Sequence, residues 1–388
     1  MQASSLRDMA SVSLTVCSSD TPRSEAWRKA QGTGLATSRQ GRVIPFTIVE
    51  GPEAWNAARY RDSQEYVYAL SAADVAELDA AVAGVAGRDL KEVTQADFPL
   101  PTLGAKLTAM REEVRTGRGF QLIRGVPVER YTRAQAMAAY WGIGTYWGKA
   151  QSNNKQGHLI GHIRDIGHDP AQATTRLYAT HEAQPYHNDS SDQVALLCLH
   201  IAKEGGLSSW SSSIAVHNEI VRRRPDLARV LAGPWFMDRK GEVPEGKQGY
   251  FELPVFNYFE GYLSVNYSDN YYKLSQRFPE VPRLTPAHYE AMALFNELAR
   301  ADELRLDCYL QPGDIQLLNN HTCLHTRGAF VDYPEPERRR HLLRLWVAPP
   351  VDRPLPACYA ELYGSVHVGD RGSIRCPGYE PHIALDPE

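Results

Sequence analysis

The feature that most limits what this chain can fold into is its punctuation after residue 158. Short β-type runs at 194–201, 250–255, 262–265, 315–318 and 342–347 alternate there with turns rich in Gly, Pro, Asn and Asp. Each run is long enough for one crossing of a sheet, and short strands separated by turn signals fold as a sandwich or barrel. Two helical stretches interrupt them. One covers 214–231 and stops before Gly233-Pro234; the other covers 285–301, opened by Thr285-Pro286 with Glu290 in its first turns. Upstream the texture differs. Ser71 to Asp74 is a capping signal, followed by Val75, Leu78, Val82 and Val85 at helical spacing. Leu103, Leu107 and Met110 mark a second helix at 103–115, 120–125 reads as a strand, and 133–147 reads as a helix rich in Ala, Met and aromatics. The expectation is an α+β chain with a mainly β core, and a loop-rich segment after residue 349 that wraps it.

Charge and cysteine usage narrow the class. A net charge of -4 offers no basic excess for nucleic acid or an anionic membrane. No apolar run approaches the ~18–20 residues that cross a bilayer. The six cysteines, Cys17, Cys198, Cys308, Cys323, Cys358 and Cys376, form no CxxC pair. That usage fits reduced thiols in a cytoplasmic protein rather than zinc fingers or a disulfide framework. Residues 1–42 are Ser-rich, with Arg7, Arg23, Arg28, Arg39, Arg42 and few acids. They are expected to form a disordered tail, with a weak transit-peptide character that leaves organelle import open. Residues 43–388 are expected to be a single domain.

Thirteen histidines are present, so most must be bystanders. Tyr186-His187-Asn188-Asp189 puts a His and an Asp two residues apart. On a strand, i and i+2 share a face, so an imidazole and a carboxylate can converge on one ion. One more imidazole completes the two-His, one-carboxylate triad that leaves coordination positions open, as in non-haem iron(II) oxygenases. A bare HxD arises often by chance; alone it reads equally as a surface histidine beside a turn acid. His158, His162, His168 and His181 have neither the HExxH nor the Cys/His spacing of zinc sites. His321 reads as structural, or as a partner lying behind the metal ligands.

The remaining pieces come in a telling order: Gly205-Gly206-Leu207-Ser208, then Pro312-Gly313-Asp314, Asn319-Asn320, His325-Thr326-Arg327, and a run from Arg338 to Trp346. This set, over 158–349, resembles the taurine-dioxygenase-like (TauD/TfdA) family, which includes clavaminate-synthase-like enzymes. The resemblance implies a double-stranded β-helix, or jelly roll, with peripheral helices. It implies that His187, Asp189 and His325 ligate Fe(2+). It implies that Ser208, where the family has Thr, and Arg340, about fifteen residues after the distal His, bind 2-oxoglutarate. Arg344, four residues later, matches an Arg that meets an acidic group on the substrate; Asn319 and Tyr186 are further candidate pocket residues. Related halogenases lack the carboxylate, so Asp189 argues for oxygenation.

The residue chemistry agrees with these roles. A distal carboxylate needs a permanently charged partner, and a guanidinium binds it through two hydrogen bonds. Arg340 and Arg344 have even spacing, which on a strand puts both on one face, opposite His341, Leu343 and Leu345. Arg344 lies inside an apolar run, so it must face something acidic, either substrate or a structural Asp or Glu. The expected activity is hydroxylation, or another oxidation, of an unactivated C–H bond in a small carboxylate-bearing or amino-acid-like metabolite. O2 is consumed, and succinate and CO2 are released. The partner is a small molecule, and homo-oligomerisation is open. Two other classes remain: a cupin-like metal-dependent lyase or hydrolase, and a non-catalytic jelly-roll binding protein.

Overall fold

The alternation after residue 158 builds two sheets that stack face to face. In the computed structural model, which describes residues 35–387, the strands that position the site are, in chain order, β1 (Val67–Ala69), β2 (Phe120–Arg124), β3 (Lys149–Gln151), β4 (Ile160–Ile163), β5 (Gln184–His187), β6 (Gln193–His200), β7 (Ser208–Ser212), β8 (Arg305–Cys308), β9 (Ile315–Asn319), β10 (Cys323–Arg327) and β11 (His341–Ala348). The larger sheet runs β1-β2-β9-β6-β11-β3, with β4 also paired to β11; the smaller runs β8-β7-β10-β5. Pairing is antiparallel except for β1 on β2.

Strand alternation explains why the sheets stack. On β11, Leu343, Leu345 and Val347 face outward into one core, while Leu342 and Trp346 face inward onto Trp210, Leu306 and Cys323 of the smaller sheet. Trp210 and Trp346 are 1% and 0% exposed. Truncating such a side chain costs about 3–5 kcal/mol, a large part of a domain's net stability. This inner layer therefore sets the spacing of the sheets, and with it the geometry between them. The result is the expected jelly roll.

Helices cover both outer faces. α1 (Ala72–Gly84), α2 (Leu103–Thr116) and α3 (Arg133–Thr145) pack on the larger sheet. α1 begins where expected, because Ser71 and Asp74 close a capping box. The other side holds α4 (Ser213–Arg223), α5 (Pro225–Leu231), α6 (Asp269–Ser275) and α7 (Pro286–Arg300). The single helix expected at 214–231 is two. Pro225 lacks an N–H and clashes with the preceding turn, so α4 ends at Arg223, capped by Arg224, and Pro225 starts α5 as its first residue.

Of the segment expected to be a tail, residues 1–34, including Cys17, lie outside the described residues. Thr37–Ser38 pairs in parallel with Ile48–Val49, and Gln40 exchanges two hydrogen bonds with the Leu263 backbone. The chain after residue 349 wraps the core as expected: Arg371 is fully buried there and holds the Asp192 carboxylate at 2.9 and 3.0 Å. Cys198, Cys308, Cys323 and Cys376 are free thiols. No described helix is long and apolar enough to cross a membrane.

Candidate metal centre and its chambers

The smaller sheet brings the histidines together. β10 pairs with β5 so that His325 lies directly opposite His187, with ring centroids 4.3 Å apart. Strand β5 ends at His187, so Asp189 is not on a strand as expected. Convergence depends instead on Asn188. Its amide donates to the carbonyls of Asn320 and Cys323, and its side-chain oxygen accepts from Tyr267 N–H. Asn320 Oδ1 accepts the Asp189 N–H. The turn thus held returns Asp189 to the imidazoles, 3.8 Å from Nε2 of both His187 and His325. The three ligand atoms lie within 4.8 Å of one another.

The set suits a divalent cation. His187 Nδ1 donates to Pro185 O at 2.8 Å, so its lone pair lies on Nε2, facing the centre. Burial, and then the adjacent His187 ring, push His325 down to about 3, leaving a neutral imidazole ready to coordinate. Burial lowers His187 too. Burial alone would raise the pKa of Asp189, but Arg344, His325 and His187 outweigh it and hold the carboxyl ionised. Trp346 Nε1 donates to Asp189 Oδ2 at 3.0 Å, restricting how the carboxylate turns.

Arg344 occupies the inner face of β11, as alternation predicts. Its Nη1 lies 3.4 Å from both Asp189 oxygens, its Nε donates to Asn153 Oδ1 at 2.7 Å, and its guanidinium lies over the Tyr178 and Trp346 rings. Its acidic partner is therefore within the chain.

A cavity of about 30 Å³ lies against Asp189 and His325, lined also by Ser208, Arg327, Arg340 and Arg344. Arg340 is 4% exposed and its Nη1 has no hydrogen-bond partner. Gly206 gives it room, since a Cβ there would stand 3.2 Å from Arg340 Nε. Burial lowers Arg340 to about 10, so it remains charged at neutral pH. Residues 164–183 carry no regular structure beyond the turn Leu177–Ala179.

A second small cavity lies against His187, lined also by Gln184, Lys240, Ser268, Asn270 and Tyr271. Lys240 is 5% exposed, adopts φ 51, and donates from Nζ to Thr175 O. No carboxylate among the described residues is within ion-pair distance of it. Burial and then Arg176 lower it to about 8. No spacing in the sequence singles out Lys240, because its neighbours reach it from distant segments.

Two expected pocket residues are elsewhere. Tyr186 adjoins His187 on β5 and so faces the opposite way, into the core beneath the helices with Leu324. Asn319 caps the turn after β9: its amide donates to Val114 O and Arg115 O and its oxygen accepts His321 N–H. His321, Asp192 and Asp352 form a second cluster with metal-like spacing. Arg371 supplies the cation there, so the cluster is structural, as expected for His321.

Comparisons with known proteins agree with this architecture. The family described as "Taurine catabolism dioxygenase TauD, TfdA family" matches residues 86–346. A relative from Streptomyces rubellomurinus, FR-33289 synthase, is 31% identical over 310 residues, covering 77% of this chain and 90% of its own. The taurine hydroxylase-like protein SAT17 of Stachybotrys chartarum is 31% identical over 304 residues, covering 75% and 77%. Asparagine oxygenase, solved with Fe(II), 2S,3S-3-hydroxyasparagine and succinate, superposes with TM-score 0.57 at 16% identity, over 73% of this chain and 93% of that one. The non-heme iron oxygenase OrfP, solved with Fe, succinate and (3S)-hydroxy-L-Arg, gives 0.54 at 14% identity, over 72% and 94%. These two likenesses establish the fold.

Proposed function

The chain belongs to the TauD/TfdA family of iron(II)- and 2-oxoglutarate-dependent non-haem oxygenases, and on that premise we propose that it oxidises an unactivated C–H bond of a small, acid-bearing, amino-acid-like metabolite. Membership sets aside the cupin-like hydrolase or lyase and the non-catalytic binding protein. The observation that carries the reading is the convergence of His187, Asp189 and His325, with Asp189 3.8 Å from both Nε2 atoms, beside a chamber that holds Arg340.

In this reading His187, Asp189 and His325 hold iron(II), and Arg340 with Ser208 takes the distal carboxylate of 2-oxoglutarate. Bound together, iron, 2-oxoglutarate and O2 supply the oxidising equivalents, and succinate and CO2 leave. The chain's own part is orientation and dryness. Asn188 and Asn320 fix the Asp189 turn, Trp346 limits its rotation, and the tryptophan-rich layer between the sheets keeps water from the centre.

The acidic group assigned to the substrate rests on Lys240 rather than on Arg344. Arg344 already has Asp189, whereas Lys240 is a buried ammonium beside His187 with one carbonyl acceptor. A buried charge without a counter-charge is costly, and a substrate carboxylate or similar oxyanion removes that cost. The hydroxylated amino acids bound in the two superposed structures support the same size and class.

The test is an anaerobic titration of the iron(II) protein with 2-oxoglutarate, read by charge-transfer absorption. Aerobic screening of amino acids and their derivatives for succinate release follows. An absorption band, plus succinate formed with a product one oxygen heavier, supports the reading. No band and no substrate-dependent succinate would remove it.

A further inference from the structure

We propose that Arg327 is a second guanidinium anchor for the distal carboxylate of 2-oxoglutarate, acting beside Arg340 and Ser208. The inference rests on the oxygenase reading above and adds a residue that the sequence motif did not assign.

Placement comes from strand geometry. On β10, His325 and Arg327 are two residues apart and share a face, while Thr326 turns away to bond Gln184 O. In the β7–β10 ladder Arg327 stands directly opposite Ser208, two positions along from the rung that pairs His325 with Trp210. Arg340 comes from the residue just before β11 of the facing sheet. The two guanidinium carbons flank one ring, 4.8 and 5.1 Å from the Phe330 centroid. Arg327, Arg340 and Ser208 therefore line one chamber with His325 and Asp189.

The unmet hydrogen bonds indicate what the chamber is built to hold. Arg327 is 5% exposed, and both its Nε and Nη1 lack a partner, as does Arg340 Nη1. Only Nη2 of Arg327 is engaged, by the Glu182 and Leu177 carbonyls. No carboxylate among the described residues lies within ion-pair distance of either guanidinium. Of the nearby acids, Asp165 and Glu182 pair with His181, and Asp332 accepts the Arg340 backbone N–H through one oxygen; none of them forms an ion pair with either guanidinium. Two buried cations lining one chamber, with donors unpaired, are costly unless an anion joins them. A carboxylate accepts from two guanidinium forks and a hydroxyl at once, which matches the donors present. A purely structural Arg327, tethering the 177–182 loop through Nη2, would leave Nε and Nη1 without purpose.

The experiment compares two 2-oxo acids that chelate iron alike. 2-Oxoglutarate has the distal carboxylate; 2-oxobutyrate lacks it. Each is titrated anaerobically into the iron(II)-loaded native protein and the Arg327→Met and Arg327→Lys variants, with charge-transfer absorption as the readout and far-UV circular dichroism as the folding control. Arg327→Met is expected to weaken 2-oxoglutarate about 10- to 100-fold, the worth of charge-assisted hydrogen bonds. It should leave 2-oxobutyrate within about twofold by the same logic, with Arg327→Lys between. Equal weakening of both ligands, or no change in either, overturns the proposal. Should Arg327→Met fail to fold, Arg327→Lys decides by the same comparison. Absence of any band with the native protein is a separate result: it removes the oxygenase reading, and this inference with it.

Discussion

Replacing Arg344 by Met should injure the metal-free protein far more than the metal-loaded one. Arg344 and Asp189 have side-chain exposures of 5% and 7% and stand 3.4 Å apart. At an effective dielectric of about 20 their attraction is about 5 kcal/mol. Removing one partner of a buried pair typically costs about 3–5 kcal/mol, because the other charge stays behind unpaired. A divalent ion on His187, Asp189 and His325 supplies the missing positive charge. What then remains is mainly the Asn153 oxygen left without its donor, about 1 kcal/mol. By linkage the difference, about 3 kcal/mol, appears as metal binding about 100-fold tighter in the variant. Urea unfolding followed by tryptophan fluorescence, with and without cobalt(II), measures the stabilities, and cobalt absorption measures the affinity. The reasoning fails if both forms are destabilised equally, or if the variant binds cobalt more weakly than the native chain.

Asp189→Ala should abolish turnover and lower cobalt(II) affinity by at least about 100-fold, since two imidazoles alone make a poor site; native-like affinity would take Asp189 out of the triad. Lys240→Met should raise the KM of the substrate found by succinate release about tenfold or more while the 2-oxoglutarate requirement changes little. In the native enzyme that KM should climb above about pH 8, where Lys240 loses its proton; a flat profile would free the substrate's acid from Lys240. Acid should also weaken the fold through His217, a fully buried imidazole bonded to Tyr258 and Asn218 and pushed by burial down to about 4. Below pH 6.5 the unfolded chain takes up a proton that the folded one refuses, so stability falls as pH falls. Between pH 7 and pH 5 this amounts to about 2 kcal/mol. His217→Gln should flatten that part of the urea-stability profile, and an unchanged slope would count against it.

What the residues determined on their own was local. The alternation in β11 placed Leu342, Arg344 and Trp346 on one face and Leu343 and Leu345 on the other, because side chains along a strand alternate with period two whatever lies nearby. The capping signal at Ser71 and the order of HxD, Ser208, His325 and Arg340 were equally legible. Pro225 was legible too, yet the apolar spacing across it masked the break it makes between α4 and α5.

Tertiary structure decided which side chains meet. Asp189 reaches the imidazoles because Asn188 and Asn320 bend the chain after β5, not because a strand carries it there. Tyr186 and Asn319 bear suitable chemistry but face other partners. Lys240 and Arg327 gained importance only once folding had buried them without an ion-pair partner among the described residues. A periodic pattern reports a residue's own face; its counter-charge depends on contacts between residues more than a hundred positions apart, such as Arg344 with Asp189, and those exist only after the two sheets have closed on each other.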